Sequence, residues 1–202
     1  MKPMNVQTHS NTSIATAAVQ PELIINPVTG DRMTILHSTN ESAGTYVKIC
    51  FDLPPGAKGS PLHYHTNMNE TFTVLRGCLE MEIGRKGNRR TLKAGESLRV
   101  PAGVQHSFCN ISNDWVTFTS ENQPPGQFEQ FIRGMYGLAI DGKVNGEGMP
   151  TNLLHFALLL KKADTILVGP PLFVQKLLVN TLVQIANWVG VERSLLKYWN
   201  NK

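Results

Sequence analysis

Three histidines and a glutamate fall into two short patterns along this chain. The first reads His63-Tyr64-His65, then Glu70, then Gly77; the second reads Gly95, Pro101, Gly103, His106 and Asn110. Imidazole and carboxylate are the side chains that hold divalent first-row metal ions, and four such ligands need not fill a six-coordinate ion. Glu70 would bring one negative charge and His63, His65 and His106 three neutral rings, leaving a complex with a divalent ion at roughly +1. Taken singly, each of these residues reads as a core histidine or a capping glutamate. Taken together, the two patterns arise by accident with odds on the order of one in a million at ordinary residue frequencies.

Such residues need short strands to bring them together, and residues 21 to 120 read that way. Turn signals such as Asn26-Pro27, Pro54-Pro55-Gly56, Gly84 to Asn88 and Pro101-Ala102-Gly103 punctuate β-rich runs. These runs are Met33–His37, Thr45–Leu53, Glu70–Leu75, Cys78–Ile83, Ser97–Val100, His106–Asn110 and Trp115–Ser120. Many short strands at this spacing predict an antiparallel sandwich or barrel. His63 and His65 share a strand face, whereas Glu70 has the opposite parity, so Thr66-Asn67-Met68-Asn69 must reset the phase through a loop or bulge. Tyr64, between the two histidines, should point away. By alternation, Phe72, Val74, Leu79, Met81, Phe108 and Phe118 face the barrel interior, as core or as walls of an apolar pocket.

The paired motifs resemble those of the cupin superfamily over roughly residues 45 to 120. One position departs from that pattern: where the family's first motif opens with Gly, this chain has Ala57, between Gly56 and Gly59. The resemblance implies a mainly β fold, a double-sheet jelly-roll barrel (a double-stranded β-helix), holding one divalent ion on His63, His65, Glu70 and His106. It also implies one or two open coordination positions, for an ion that could be Fe, Mn, Ni, Cu, Co or Zn. The reaction class it suggests is dioxygen chemistry on an enolic or aromatic molecule, similar to quercetinase-like single-domain cupins, with Glu70 also serving as a catalytic base. A redox-neutral isomerase or cyclase and a non-catalytic sensor remain open, because one barrel hosts many chemistries. Asn110 is either a supporting neighbour of the site or a turn residue.

After Pro124-Pro125 the pattern becomes helical. Apolar residues recur at helical spacing through 127 to 140, a second helix starts near Thr151, and a third runs from about Leu172 to Val189, with Gly190 as its stop. The third carries one narrow polar stripe of Lys176, Asn180, Gln184 and Asn187 and is otherwise apolar. It could pack on the barrel or on a dimer partner, form a lipid- or ligand-facing surface, or span a membrane. Its lysine, asparagines and glutamines argue against the last. The domain reading is a disordered tail over 1–20, a barrel over 21–124 and a helical extension over 125–202.

Charged residues make up 17% of the 202-residue chain and apolar ones 41%, a globular composition. The net charge of +4 is mild, and the run Arg85-Lys86-Gly87-Asn88-Arg89-Arg90 reads as a solvated hairpin turn or an anion patch. A nucleic-acid patch is a further reading of this run, but the lack of aromatic stacking residues weakens it, and nucleic acid is not among the expected partners. Three well-separated cysteines, Cys50, Cys78 and Cys109, fit reduced thiols in a cytoplasm rather than a disulfide framework. The first twenty residues lack the apolar run of a secretory signal. The expected partners are a small-molecule ligand and a second copy of the chain.

Overall fold

The computed structural model describes residues 22–199, so the tail expected over 1–20 lies outside the described residues. The chain first lays down β1 Leu23–Ile25, β2 Arg32–His37, β3 Val47–Leu53, β4 His63–His65 and β5 Asn69–Arg76. Then follow β6 Cys78–Ile83, β7 Arg89–Lys93, β8 Ser97–Val100, β9 His106–Cys109 and β10 Val116–Gln123. The last third holds α1 Phe128–Ile140, α2 Leu153–Lys162, β11 Thr165–Leu167, α3 Leu172–Trp188 and α4 Leu196–Trp199. The strands form two antiparallel sheets, ordered β1-β2-β3-β10-β5-β8 and β11-β4-β9-β6-β7, which face each other as a jelly roll.

Period-two patterning builds this barrel. Along β3, Val47, Ile49, Phe51 and Leu53 are buried while Lys48, Cys50 and Asp52 are not. Phe51 stacks on Phe118 of β10 at 5.4 Å between ring centroids. Burial of each such side chain contributes about 1.5–3 kcal/mol. Of the six residues expected to face inward, Phe72, Val74, Leu79, Met81 and Phe118 are fully buried core. The basic run sits at the β6–β7 connection as expected, although Arg89 and Arg90 already belong to β7.

α1 joins the barrel core through Phe128, Ile132 and Tyr136. Its Leu138 enters a second core with Leu158 and Leu159 of α2, Ala186 of α3 and Leu195. α2 starts where Asn152 caps it, the Oδ1 accepting from the N–H of Leu154 at 2.8 Å. α3 packs chiefly on α2, its Gln175 side chain also bonds the Leu167 backbone of β11, and Ala186 is its one fully buried residue. Phe173, Leu177 and Trp188 are 74%, 69% and 87% exposed. Among the described residues, no helix is long and apolar enough to cross a membrane.

Two details position the site. β11, from the helical third, pairs with β4 in the register Thr165↔His65 and Leu167↔His63. At the loop before β4, Gly59 has φ +64, and a Cβ there would lie 1.9 Å from the Phe108 carbonyl oxygen. Only glycine permits that approach, so the departure at Ala57 does no harm. Gly56 and Gly59 take the left-handed conformations, and the Ala57 carbonyl accepts from the N–H of Asn110 at 2.9 Å.

Candidate metal centre

The structure brings His63, His65, Glu70 and His106 to one place, each offering a ligand atom within 4.8 Å of the others, and all four are buried. β4 supplies the two histidines from one face, with half-buried Tyr64 on the other. β9 lies beside it with His106 opposite His63, and those two rings are 4.3 Å apart between centroids. Glu70 comes from β5 in the facing sheet. The parity conflict is resolved outside the strands: Thr66, Asn67 and Met68 form the link that ends β4 and starts β5.

The imidazoles are oriented from behind. Nδ1 of His63 lies 2.7 Å from the Pro61 carbonyl oxygen, that of His65 2.9 Å from Ala163, and that of His106 2.9 Å from Val104. A carbonyl can only accept, so each Nδ1 carries the hydrogen and each Nε2 presents its lone pair to the cluster. The Nε2 of His65 is buried with no hydrogen-bond partner. That of His106 lies 3.0 Å from Glu70 Oε2, and that of His65 3.6 Å from the same oxygen. Lone pairs converging on a carboxylate need a positive charge between them. These donors fit a divalent cation, and the cluster can bind one.

The protonation preferences express the same need. Burial, then the neighbouring His106 and His65, push the His63 pKa down to about 3. For Glu70, burial disfavours the carboxylate, but the imidazoles of His106 and His65 outweigh it and hold the group well below the usual range. Burial also opposes charging His106, yet Glu70 and the Val104 carbonyl raise its pKa on balance.

Two further residues serve the cluster without having been singled out from the sequence. The Ser120 hydroxyl donates to Glu70 Oε1 at 2.6 Å, and Asn122 Nδ2 donates to Ser120 Oγ at 2.9 Å. Both lie on β10 with Phe118's parity, and Asn122 stands opposite Glu70 in the ladder. Same-face spacing from Phe118 could have found them. Asn110, by contrast, organises a turn: its Nδ2 donates to the carbonyls of Leu53, Pro54 and Asp114.

A cavity of about 450 Å³ reaches His63, His65 and Glu70. Its apolar wall separates the two readings left open for the inward-facing strand residues. Of the six alternation residues only Phe108 lines it; the rest of the wall includes Phe51 and Leu53 with Phe128, Phe131, Ile132, Met135, Phe156 and Leu160 from α1 and α2. The helical third thus roofs the site, which strand alternation could not reveal. Lys58 and Glu147 pair at 2.7 Å between two of the lining loops.

Residues 50–120 match the family model described as a cupin domain. Those residues form a cupin domain. Solved structures similar to this chain include the polyketide cyclase RemF from Streptomyces resistomycificus, at 19% identity and TM-score 0.45, covering 60% of this chain and 80% of that one. A predicted oxalate decarboxylase from Thermotoga maritima matches at 24% identity and TM-score 0.43, over 52% of this chain and 93% of that one. The cupin domain of an XRE family transcriptional regulator from Enterobacter cloacae matches at 24% and TM-score 0.40, over 46% and 95%. No functionally curated protein matches the chain.

Proposed function

We propose that this cupin is a small-molecule enzyme of dioxygenase type, using one divalent ion held by His63, His65, Glu70 and His106. What supports the reading is the set of three Nε2 atoms, each ring fixed through Nδ1, converging on one carboxylate beside an apolar cavity. A redox-active ion there would supply Lewis acidity toward an enolate or phenolate oxygen and the electron-transfer chemistry that dioxygen requires.

The chain's own residues do the rest. Phe128, Phe131, Ile132 and Leu160 receive an aromatic or alkyl body and keep water out. Glu70 is the catalytic base: Oε2 takes the enol or phenol proton while Ser120 holds Oε1 in place. The barrel over 21–124 and the helical segment over 125–202 act as one unit, since α1 and α2 close the cavity. The apolar outer face of α3 supports a homodimer, and the free thiols of Cys50, Cys78 and Cys109 support a cytoplasmic setting.

Oxygen uptake tests this reading. Full-length protein loaded separately with Fe, Mn, Ni, Cu, Co or Zn would be given a panel of flavonols and 1,3-diketones. At least one redox-active form should consume oxygen in step with loss of the organic compound. Saturable binding with no uptake in any form would reject it and leave a redox-neutral cyclase or a sensor. The sensor has one observation in its favour: α3, exposed and apolar, follows directly from the strand that pairs with β4.

A further inference from the structure

Within the segment that joins α2 to β11, Asp164 reaches back 98 residues to the link between His65 and Glu70. Its carboxylate accepts from the N–H of Thr66 at 2.8 Å, the N–H of Asn67 at 2.8 Å and the Thr66 hydroxyl at 2.7 Å. Asp164 itself has φ +51, a left-handed conformation that residues with a Cβ adopt at a cost. Its neighbour Ala163 supplies the carbonyl that orients the His65 ring, and Thr165 then opens β11 directly beside His65.

We infer that Asp164 is a positioning residue for the candidate metal centre, acting through the turn that sets the relative placement of His65 and Glu70. The inference rests on the metal reading above and goes beyond it, because Asp164 lies outside both motifs and far away in sequence. The physical argument is geometric. On a continuous strand, His65 and Glu70 would project from opposite faces. The turn at Thr66 and Asn67 removes that conflict, and it has two backbone N–H groups satisfied by one carboxylate. Charge-assisted bonds of this kind are about twice as strong as neutral ones. Without them the turn is free to shift, and small errors in ligand placement weaken metal binding steeply; loss of a residue that supports a ligand typically costs about 10–100-fold in affinity. The same three-residue stretch thereby couples the metal site to the helices that roof the cavity.

The test is metal affinity in the full chain, with cobalt(II) and zinc(II) as probes, by competition against a chromophoric chelator. Asp164→Gly removes the carboxylate while suiting the left-handed backbone, and should weaken both ions at least tenfold and shift the visible cobalt spectrum. Asp164→Asn keeps an oxygen acceptor and tolerates the conformation, so it should stay within about threefold of wild type by that logic. Circular dichroism of the metal-free variants separates a moved ligand from a lost fold. Should Asp164→Gly fail to fold, Thr66→Val removes the hydroxyl's bond to Asp164 and the one it accepts from Asn67 Nδ2, leaves both backbone N–H bonds in place, and should still weaken cobalt measurably. Wild-type affinity and spectrum in Asp164→Gly, or in Thr66→Val where that variant is the one read, would overturn the positioning role and leave the metal reading standing. No uptake of either ion by the wild-type chain would overturn both.

Discussion

The barrel interior and the outer face of α3 draw on the same side chains and end in opposite environments. Phe72, Phe118 and Leu79 are fully buried between two sheets, whereas Phe173, Leu177 and Trp188 stand in solvent on a helix with one buried residue. Strand patterning is responsible for the first outcome: alternation with period two assigns each residue one face, and the partner sheet covers it. α3 carries apolar residues around most of its circumference, and α2 can cover only the narrow side that holds Ala186. The barrel therefore completes its apolar packing within one chain, and α3 does not. Roofing helices lie between these extremes, since α1 faces the barrel core on one side and the helical core on the other.

Removing residues 126–202 should produce the largest effect, because it takes Phe128, Ile132 and Tyr136 from the barrel core and uncovers β4. Aggregation is expected, read by light scattering and circular dichroism. A soluble truncated barrel that still binds metal would break the comparison, by showing that the barrel needs no roof. Next in size is Phe118→Ala, which should cost about 3–5 kcal/mol in chemical denaturation, the range for large aromatic truncations in a packed core. A loss below about 1 kcal/mol would mean the interior is looser than its burial implies.

His63→Ala and His106→Ala act on the polar cluster inside that interior. Each should retain the fold by circular dichroism and lose most bound metal by mass spectrometry. The affinity loss should exceed about a hundredfold, beyond what a supporting residue costs. Ser120→Ala removes only the donor to Glu70 Oε1, so a loss of about tenfold is expected, at the lower end of that supporting range. Equal losses in Ser120→Ala and His106→Ala would mean that carboxylate orientation matters as much as a ligand.

How much of this was legible in the sequence follows from the same contrast. The spacing of His63, His65, Glu70 and His106 carried the cluster because short strands leave few ways to place such residues. The runs at Cys78–Ile83 and Ser97–Val100 coincide with β6 and β8, and the expected helices from residue 127 and from Leu172 coincide with α1 and α3. β11 was not legible: Thr165, Ile166 and Leu167 are too few for periodicity to register, and their pairing with β4 spans about a hundred residues. Which residues wall the cavity was not legible for a related reason. Alternation identifies which residues face inward, but only packing decides whether an inward face meets another side chain or open space. The polar stripe of α3 was visible, yet nothing local in a sequence tells which apolar side finds a neighbour.

The smallest effect on the monomer should come from Leu177→Glu. Leu177 is 69% exposed, and surface substitutions away from packed features usually change stability by less than about 0.5 kcal/mol. If α3 is the face on which two copies meet, a charge at that position would be buried without a partner in the dimer and would oppose association. Sedimentation should then show wild-type dimers and Leu177→Glu monomers, with the thermal midpoint measured at low concentration unchanged. A wild-type chain that is monomeric at all concentrations would assign the face to a different occupant, and a large stability loss in the monomer would mean that the outer side of α3 is packed after all. Only the second result removes the contrast between a barrel that covers its own apolar surface and a helix that leaves its apolar face uncovered within one chain.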